Sequence, residues 1–72
     1  MKLIEWIEKL KQENAITMSN YLGIKNAVEM WNEFQLCEYL YRILRELHAI
    51  KRFDLIPESE TVWKWLKMEE LK

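Results

Sequence analysis

The hydrophobic positions between residues 27 and 50 change phase along the chain. At about 100° per residue in an α-helix, two apolar groups in this region point in roughly opposite directions. The first group is Ala27, Met30, Trp31 and Phe34, and the second is Leu36, Leu40, Ile43, Leu44 and Leu47. Because a single amphipathic helix keeps one apolar stripe, the pattern predicts a break near residues 32 to 35. It also predicts a separate helix from Asn32 to Ile50.

The first half of the chain predicts two shorter helices. The first helix covers about residues 2 to 13, with one apolar stripe at the spacing i, i+3, i+4, i+7. That stripe consists of Leu3, Trp6, Ile7 and Leu10. A brief extended segment is predicted at residues 15 to 17, and Thr17 is a candidate N-cap for a short helix over residues 18 to 22. Gly23, the only glycine, is predicted to be the C-cap of that helix.

Two asparagines have the spacing of a capping box. Asn26 precedes Glu29 by three residues, and Asn32 precedes Gln35 by three. The first pair predicts a further turn or two over residues 27 to 31. The second predicts that the long third helix starts at Glu33.

The last third of the chain fits two structures. The segments RFDLI and TVWKWL both alternate, and the turn-forming PESE lies between them. This arrangement predicts a β-hairpin in which Trp63 and Trp65 share a face. The alternative is a helix from about Ser59 to Leu71 with its apolar residues inward. Those residues are Val62, Trp65, Leu66 and Leu71.

Length and composition indicate one globular domain over residues 1 to 72. Half of the residues are hydrophobic, about a third are charged, and nine are aromatic. A core built from so few residues is marginally stable on its own. Dimerisation or docking on a partner is therefore expected.

The charge is small in total but uneven along the chain. Residues 1 to 38 carry −2, residues 39 to 52 carry +3, and residues 53 to 72 carry −2, which gives the net charge of −1. The positive segment contains Arg42, Arg45, Lys51 and Arg52 against Glu46. Positive charge is thus concentrated at the end of the predicted third helix.

Three further features bear on location. The single cysteine, Cys37, excludes an internal disulfide, and its position predicts a buried free thiol suited to a reducing compartment. No apolar run approaches the roughly 20 residues of a membrane span. The charged N-terminal segment does not have the pattern of a signal peptide. A cytoplasmic protein with no membrane association is expected.

The order of these elements and the text of residues 40 to 66 resemble a minimal winged-helix domain. The segment LYRILRELHAIKRF resembles a recognition helix that runs into the first wing strand, and TVWKWL resembles the returning strand. ITMSNYLGI resembles the strand, second helix and turn that precede recognition. The resemblance implies a mostly α fold with a small β-hairpin, in the order helix, short strand, helix, helix, wing. An all-α helical bundle is the alternative.

If the third helix enters the major groove, its polar side supplies the DNA contacts. Arginines grip guanine edges or phosphates, and glutamine reads adenine. The predicted DNA-binding residues are Gln35, Glu38, Tyr41, Arg42, Arg45, Lys51, Arg52 and Lys64. The competing interpretation is a solvated face on which the arginines pair with Glu38 and Glu46.

Candidate catalytic and metal chemistry finds little support in the sequence. His48 is the only histidine and lies eleven residues from Cys37, whereas a metal site needs about three or four ligands at defined spacing. Neither serine has a recognisable nucleophile context, and no glycine-rich loop is present to hold phosphate. We expect no metal, no cofactor and no enzyme activity.

The tryptophans predict a protein interface. A small domain has difficulty burying four of them, and an exposed patch of Trp and Met marks a contact surface. The predicted interface consists of Trp6, Met30, Trp31 and Phe34. A homodimer through the first helix and the Trp31 segment is expected, as the winged-helix resemblance also implies.

Together these observations predict a small winged-helix protein that binds double-stranded DNA as a dimer. The expected role is regulation of transcription in a microbial or mobile-element system. The alternative is a non-enzymatic interaction module, such as a phage or viral protein that binds a host protein through its aromatic surface.

Overall fold

The computed structural model describes all residues from Met1 to Lys72 and contains only helices. The α-helices are α1 (Leu3–Gln12), α2 (Met18–Glu29), α3 (Glu33–Ala49) and α4 (Ser59–Leu66), with one 3₁₀ turn at Phe53–Leu55. There is no strand, so the predicted fold with a β-hairpin wing was wrong. The all-α bundle, which was the alternative, fits. Nothing in the structure identifies a winged-helix domain.

The predicted hairpin fails because its second segment folds as helix α4. In a strand, Trp63 and Trp65 would share a face, but in a helix they lie about 200° apart. Trp65 is fully buried, whereas Trp63 is exposed to solvent. The alternative helix was therefore correct in its start at Ser59, although it ends at Leu66 rather than near Leu71.

The break between α2 and α3 occupies Met30 to Asn32, close to the predicted position. Asn32 closes one helix and opens the next. Its backbone N–H donates to the Ala27 carbonyl at 2.9 Å, and its side chain accepts from the Gln35 N–H at 3.0 Å. The predicted start of α3 at Glu33 is confirmed. The predicted helix end at Gly23 and the separate turn over residues 27 to 31 were wrong, because α2 runs unbroken to Glu29.

All four α-helices end in the same way, with a left-handed residue that is not glycine. These residues are Asn14, Trp31, Lys51 and Met68, all with φ between 52° and 65°. In each case the next residue's N–H returns to a carbonyl five positions back, as from Arg52 to Leu47 at 2.9 Å. This is the Schellman arrangement, in which the left-handed residue is usually glycine. None of the four helix ends in this chain has that glycine.

Gly23 instead lies inside α2, against α3. A Cβ added at Gly23 would overlap the ring of Tyr39. The missing side chain therefore allows the two helices to approach closely at this point. Glycine in a helix interior costs about 0.5–1 kcal/mol relative to alanine, and here that cost is offset by the packing of Tyr39.

Two tryptophans form the centre of the core. The rings of Trp6 and Trp65 lie with their centroids 5.0 Å apart. The indole N–H of Trp6 donates to the Leu55 carbonyl at 2.8 Å, and that of Trp65 donates to the Met1 carbonyl at 3.3 Å. No buried side-chain polar atom lacks a partner. The remaining buried residues are Leu3, Ile7, Leu10, Ala15, Tyr21, Ile24, Ala27, Val28, Leu36, Leu40, Ile43, Leu47, Leu55 and Leu71.

The C-terminal segment crosses the start of α1. The N–H groups of Leu3 and Ile4 donate to the carbonyls of Glu70 and Leu71 at 2.9 and 3.0 Å. The first N–H groups of a helix have no partner within the helix, so the tail satisfies two of them. The buried side chain of Leu71 fixes the tail in place.

Other local predictions have mixed outcomes. Thr17 is the N-cap of α2, as predicted, and accepts from the Asn20 N–H at 3.1 Å. Residues 15 to 17 are not helical but form no strand. The prediction that Cys37 is buried was wrong, since its thiol is exposed on the outer side of α3. None of the helices has the length and apolar character needed to cross a bilayer.

The packing of Tyr39 on Gly23 generates a prediction. Gly23→Ala raises helix propensity, but overpacking costs about 1–3 kcal/mol, so we expect a net loss of about 1 kcal/mol in the free energy of unfolding. In a Tyr39→Ala background the same substitution is expected to stabilise. Urea unfolding followed by circular dichroism measures both, and a stabilising Gly23→Ala in the natural background would contradict the packing.

Candidate functional site

The outer side of α3 is the surface on which the predicted DNA-binding residues meet. The inner side of this 17-residue helix is buried through Leu36, Leu40, Ile43 and Leu47. Glu38, Tyr41, Arg42 and Arg45 lie on the opposite side and are exposed. The structure thus brings these four residues together along one helix.

The other four predicted DNA-binding residues do not join them on one continuous surface. Gln35 is half-buried in the first turn of α3, and Lys51 is exposed just beyond the end of α3. Arg52 follows it and is held by two carboxylates. Lys64 lies on the side of α4 opposite Val62, which lines a hollow shared with α3.

Arg42 is paired within its own helix. Its guanidinium lies 2.8 Å from the Glu38 carboxylate, four residues earlier, and 5.3 Å from the centre of the Tyr39 ring. An exposed pair of this spacing contributes about 0.3–0.5 kcal/mol. This is the intrahelical pairing that the solvated-face interpretation describes.

Arg52 is a structural link between the ends of two helices. It donates to Glu13 at 3.0 Å, just after α1, and to Asp54 at 3.1 Å. The hydrogen bond from Arg52 lowers the pKa of Asp54, and the same contact raises the pKa of Arg52. Of the four basic residues in the positive segment, only Arg45 and Lys51 therefore make no ion pair.

A continuous apolar surface runs beside the basic residues, and we call it the apolar band. It follows three shallow hollows along α3 and α4, which are joined because neighbouring hollows share Cys37, Leu44 and Val62. The band consists of Met30, Trp31, Phe34, Cys37, Tyr41, Leu44, His48, Phe53, Ile56, Val62, Trp63 and Leu66.

The aromatic residues of the apolar band are exposed. Phe34 is 79% accessible, Tyr41 64%, Trp63 60% and Trp31 58%. Large aromatic side chains that lie together at the surface of a small protein mark a contact site. The predicted interface residues Met30, Trp31 and Phe34 belong to this surface.

Trp6 does not belong to the apolar band. Its side chain is 2% exposed and stacks on Trp65. The whole apolar stripe of α1 is buried in the core. The predicted role of Trp6 and of the first helix in an interface therefore does not hold.

Helix α4 forms the second wall of the apolar band. Val62 and Trp63, near its start, line a hollow with Leu44 and His48, whereas Leu66, at its end, lies near Cys37. The ring of Phe53 packs edge-on against His48 with centroids 5.5 Å apart.

The edges of the apolar band are polar. Glu38 and Arg45 border it on α3. The ammonium of Lys67 lies 5.6 Å from the centre of the Trp63 ring at the α4 edge. An apolar centre with a charged rim is the usual anatomy of a protein–protein contact surface.

Sequence reasoning missed most of the apolar band, although a signal for it exists. Phe34, Cys37, Tyr41, Leu44 and His48 follow a helical spacing and form a second stripe on α3. The stronger leucine and isoleucine stripe, which forms the core, conceals this one. No pattern within α3 indicates that α4 completes the band.

No three or more His, Cys, Asp or Glu side chains converge where they could hold a metal ion. No protein-family model, no curated protein and no solved structure matches this chain.

The Arg52 contacts predict a dependence on pH. Because the pKa of Asp54 lies below its usual 3.8 in the folded chain, the contact stabilises above that pH and is lost as the pH falls through the lowered pKa. We expect Arg52→Gln to raise the Asp54 pKa toward its usual value in an NMR titration of the carboxyl carbon. Arg42→Gln is the matched control, and an Asp54 pKa that does not respond to Arg52→Gln would contradict the assignment.

Proposed function

We propose that this chain is a non-enzymatic protein-binding module and that the apolar band is its binding face. The observation that carries the proposal is the continuity of the band along α3 and α4. Isolated apolar side chains are common on protein surfaces and need no explanation. A row of aromatic residues that borders linked hollows is a different feature, and it is typical of a contact site.

The aromatic residues of the band supply enough energy for specific binding. Burial of about 100 Å² more of an aromatic side chain, at about 25 cal/mol per Å², stabilises a complex by about 2–3 kcal/mol. Trp31, Phe34 and Trp63 are each more than half exposed. Three such anchors on one face match the few residues that dominate measured interfaces.

The band also binds without disturbing the core. Two of its exposed members, Phe34 and Trp63, take no part in the buried cluster. The Trp6 and Trp65 pair and its hydrogen bonds lie elsewhere. A small phage or viral protein that occupies a host protein is one class of molecule with this design.

Photocrosslinking tests the proposal. We replace Phe34 or Trp63 by a benzophenone amino acid and irradiate cells of the natural source. Both positions are expected to give protein adducts of defined mass, because both side chains lie in the contact. Leu22 on α2 is the matched control, since it is 56% exposed, close to the 60% of Trp63, but lies outside the band.

The same measurement contains the result that would overturn the proposal. Absence of adducts from positions 34 and 63, or equal yields from all three positions, would mean that the band is not a specific contact. Circular dichroism of each variant verifies that the helices remain intact.

Duplex DNA is the second candidate partner, supported by a different observation. Arg42, Arg45 and Asn20 line one shallow hollow between α2 and α3, together with Glu46 and Ala49. Guanidinium and amide groups suit phosphate oxygens and base edges. Only Met30 to Asn32 separate α2 from α3, so the two helices form a helix-turn-helix pair by connectivity. A regulator of transcription would use α3 in this way without any wing.

The charges around this hollow make DNA the less favoured of the two candidate partners. Glu38 neutralises Arg42, and Glu46 lies beside Arg45 in the same hollow. The chain as a whole is slightly acidic. Affinity for duplex DNA rests largely on uncompensated Lys and Arg, and few are present on this face.

Fluorescence anisotropy with a mixed-sequence duplex at low and high salt tests the second candidate. DNA binding through α3 predicts affinity at low salt. This affinity falls as the salt concentration rises, because the release of counterions on binding is then less favourable. It also weakens markedly in Arg45→Gln. Lys64→Gln is the control, because Lys64 lies away from the hollow. No affinity at low salt would remove DNA and leave the protein-binding proposal alone.

A further inference from the structure

The apolar band has a nearly symmetric layout along α3. Phe34 and His48 lie seven residues on either side of Tyr41, which is about 10.5 Å in each direction at 1.5 Å per residue. One end of the band projects, because Phe34 is its most exposed side chain. The other end is a hollow lined by Leu44, His48, Val62 and Trp63.

We propose that the partner of the apolar band is a second copy of this chain. In this dimer the two α3 helices lie antiparallel across a two-fold axis near Tyr41, and Phe34 of each copy enters the hollow beside Trp63 of the other. The inference rests on the proposed function and specifies its partner. A two-fold dimer requires a self-complementary face, with projection and hollow at equal distances from the axis.

The charged rim fits the same arrangement. Glu38 and Arg45 lie on the exposed edge of α3, on either side of Tyr41. In the antiparallel dimer each Glu38 faces the Arg45 of the other copy, which gives two intermolecular ion pairs. In a parallel arrangement Glu38 would face Glu38 and Arg45 would face Arg45, which is unfavourable.

The pairing state of these residues in the single chain agrees with this proposal. Arg45 makes no ion pair within its own chain. Glu38 is paired with Arg42 through one carboxylate oxygen only, in an exposed contact. The second oxygen is therefore available to Arg45 of another copy.

The size of the face is adequate for a dimer. A specific interface buries at least about 1,000 Å² in total, or about 500 Å² per partner, which is about a tenth of the total surface of 4820 Å². The 17 residues of α3 and the 8 residues of α4 are about 25 and 12 Å long, and at a width of about 10 Å each they cover about 370 Å² before side-chain relief and the flanking residues of the band are counted. The chain measures 28 × 25 × 18 Å, so this area corresponds to one broad face.

Charge reversal with sedimentation equilibrium tests the dimer. We expect the natural chain to dimerise. Glu38→Arg alone or Arg45→Glu alone is expected to weaken the dimer by about ten-fold or more, because each reversal places like charges opposite each other at two places in the interface. The double variant Glu38→Arg with Arg45→Glu is expected to restore the affinity to within about three-fold. Lys9→Glu on α1 is the matched control and leaves the dimer unchanged.

A structural effect on the monomer is distinguished from an effect on the contact by two further measurements. Urea unfolding reports any loss of stability from the Arg42 pair in Glu38→Arg. Crosslinks from position 34 are mapped by mass spectrometry, and the dimer predicts adducts on the peptide of the second copy that contains His48 or Trp63.

The outcomes separate this inference from the proposed function. A chain that remains monomeric at high concentration, yet forms adducts of another mass from positions 34 and 63, overturns the dimer while the protein-binding function stands. A dimer that ignores both charge reversals overturns the antiparallel arrangement. The absence of any adduct, with a monomer in solution, overturns both.

Discussion

The three-residue break at Met30 to Asn32 determines how α2 and α3 pack against each other. The break forces Trp31 into the left-handed region, which costs about 1–2 kcal/mol for a residue with a side chain. That cost is offset by the hydrogen bonds that Asn32 makes at both helix ends. It is also offset by the packing of α2 on α3, the two helices with the most extensive contact in the fold. Without the break, the leucine stripe of α3 could not face α2. The same turn leaves Met30 and Trp31 exposed at one end of the apolar band.

Cap chemistry and helical period made part of the fold predictable. The stripe of α1, the N-cap at Thr17, the break, and the start of α3 at Glu33 all follow from side-chain patterns that act locally. The extent of α2 could not be predicted in this way. Glycine usually marks a helix end, but Gly23 instead packs against Tyr39, sixteen residues away. The true helix ends use asparagine, tryptophan, lysine and methionine in the left-handed region. Three of these four residue types give no warning of that role.

In the last third of the chain, local sequence patterns do not decide between a strand and a helix. The segment TVWKWL has adjacent apolar pairs, Val62 with Trp63 and Trp65 with Leu66, that satisfy a strand and a helix equally. The choice is made by distant groups, since Trp65 packs on Trp6 and donates to the Met1 carbonyl. The candidate site has the same limit. The positive charge of residues 39 to 52 was visible in the sequence. The pairing of Arg52 with Glu13 was not visible, because the two residues are 39 positions apart.

The small size of the chain connects the stability of its fold with the apolar band. The core accommodates Trp6 and Trp65, whereas Tyr41 and Trp63 lie along the seam between α3 and α4. Helix α4 is short and is held to α3 partly by half-buried residues of that seam, Val62 and Leu66. A ligand that binds only the folded state stabilises it by mass action. A partner that covered both helices at once, as proposed, would bury the remaining exposed parts of these side chains and strengthen the attachment of α4. Occupation of the apolar band would therefore add stability to a core that is close to the lower size limit for independent folding.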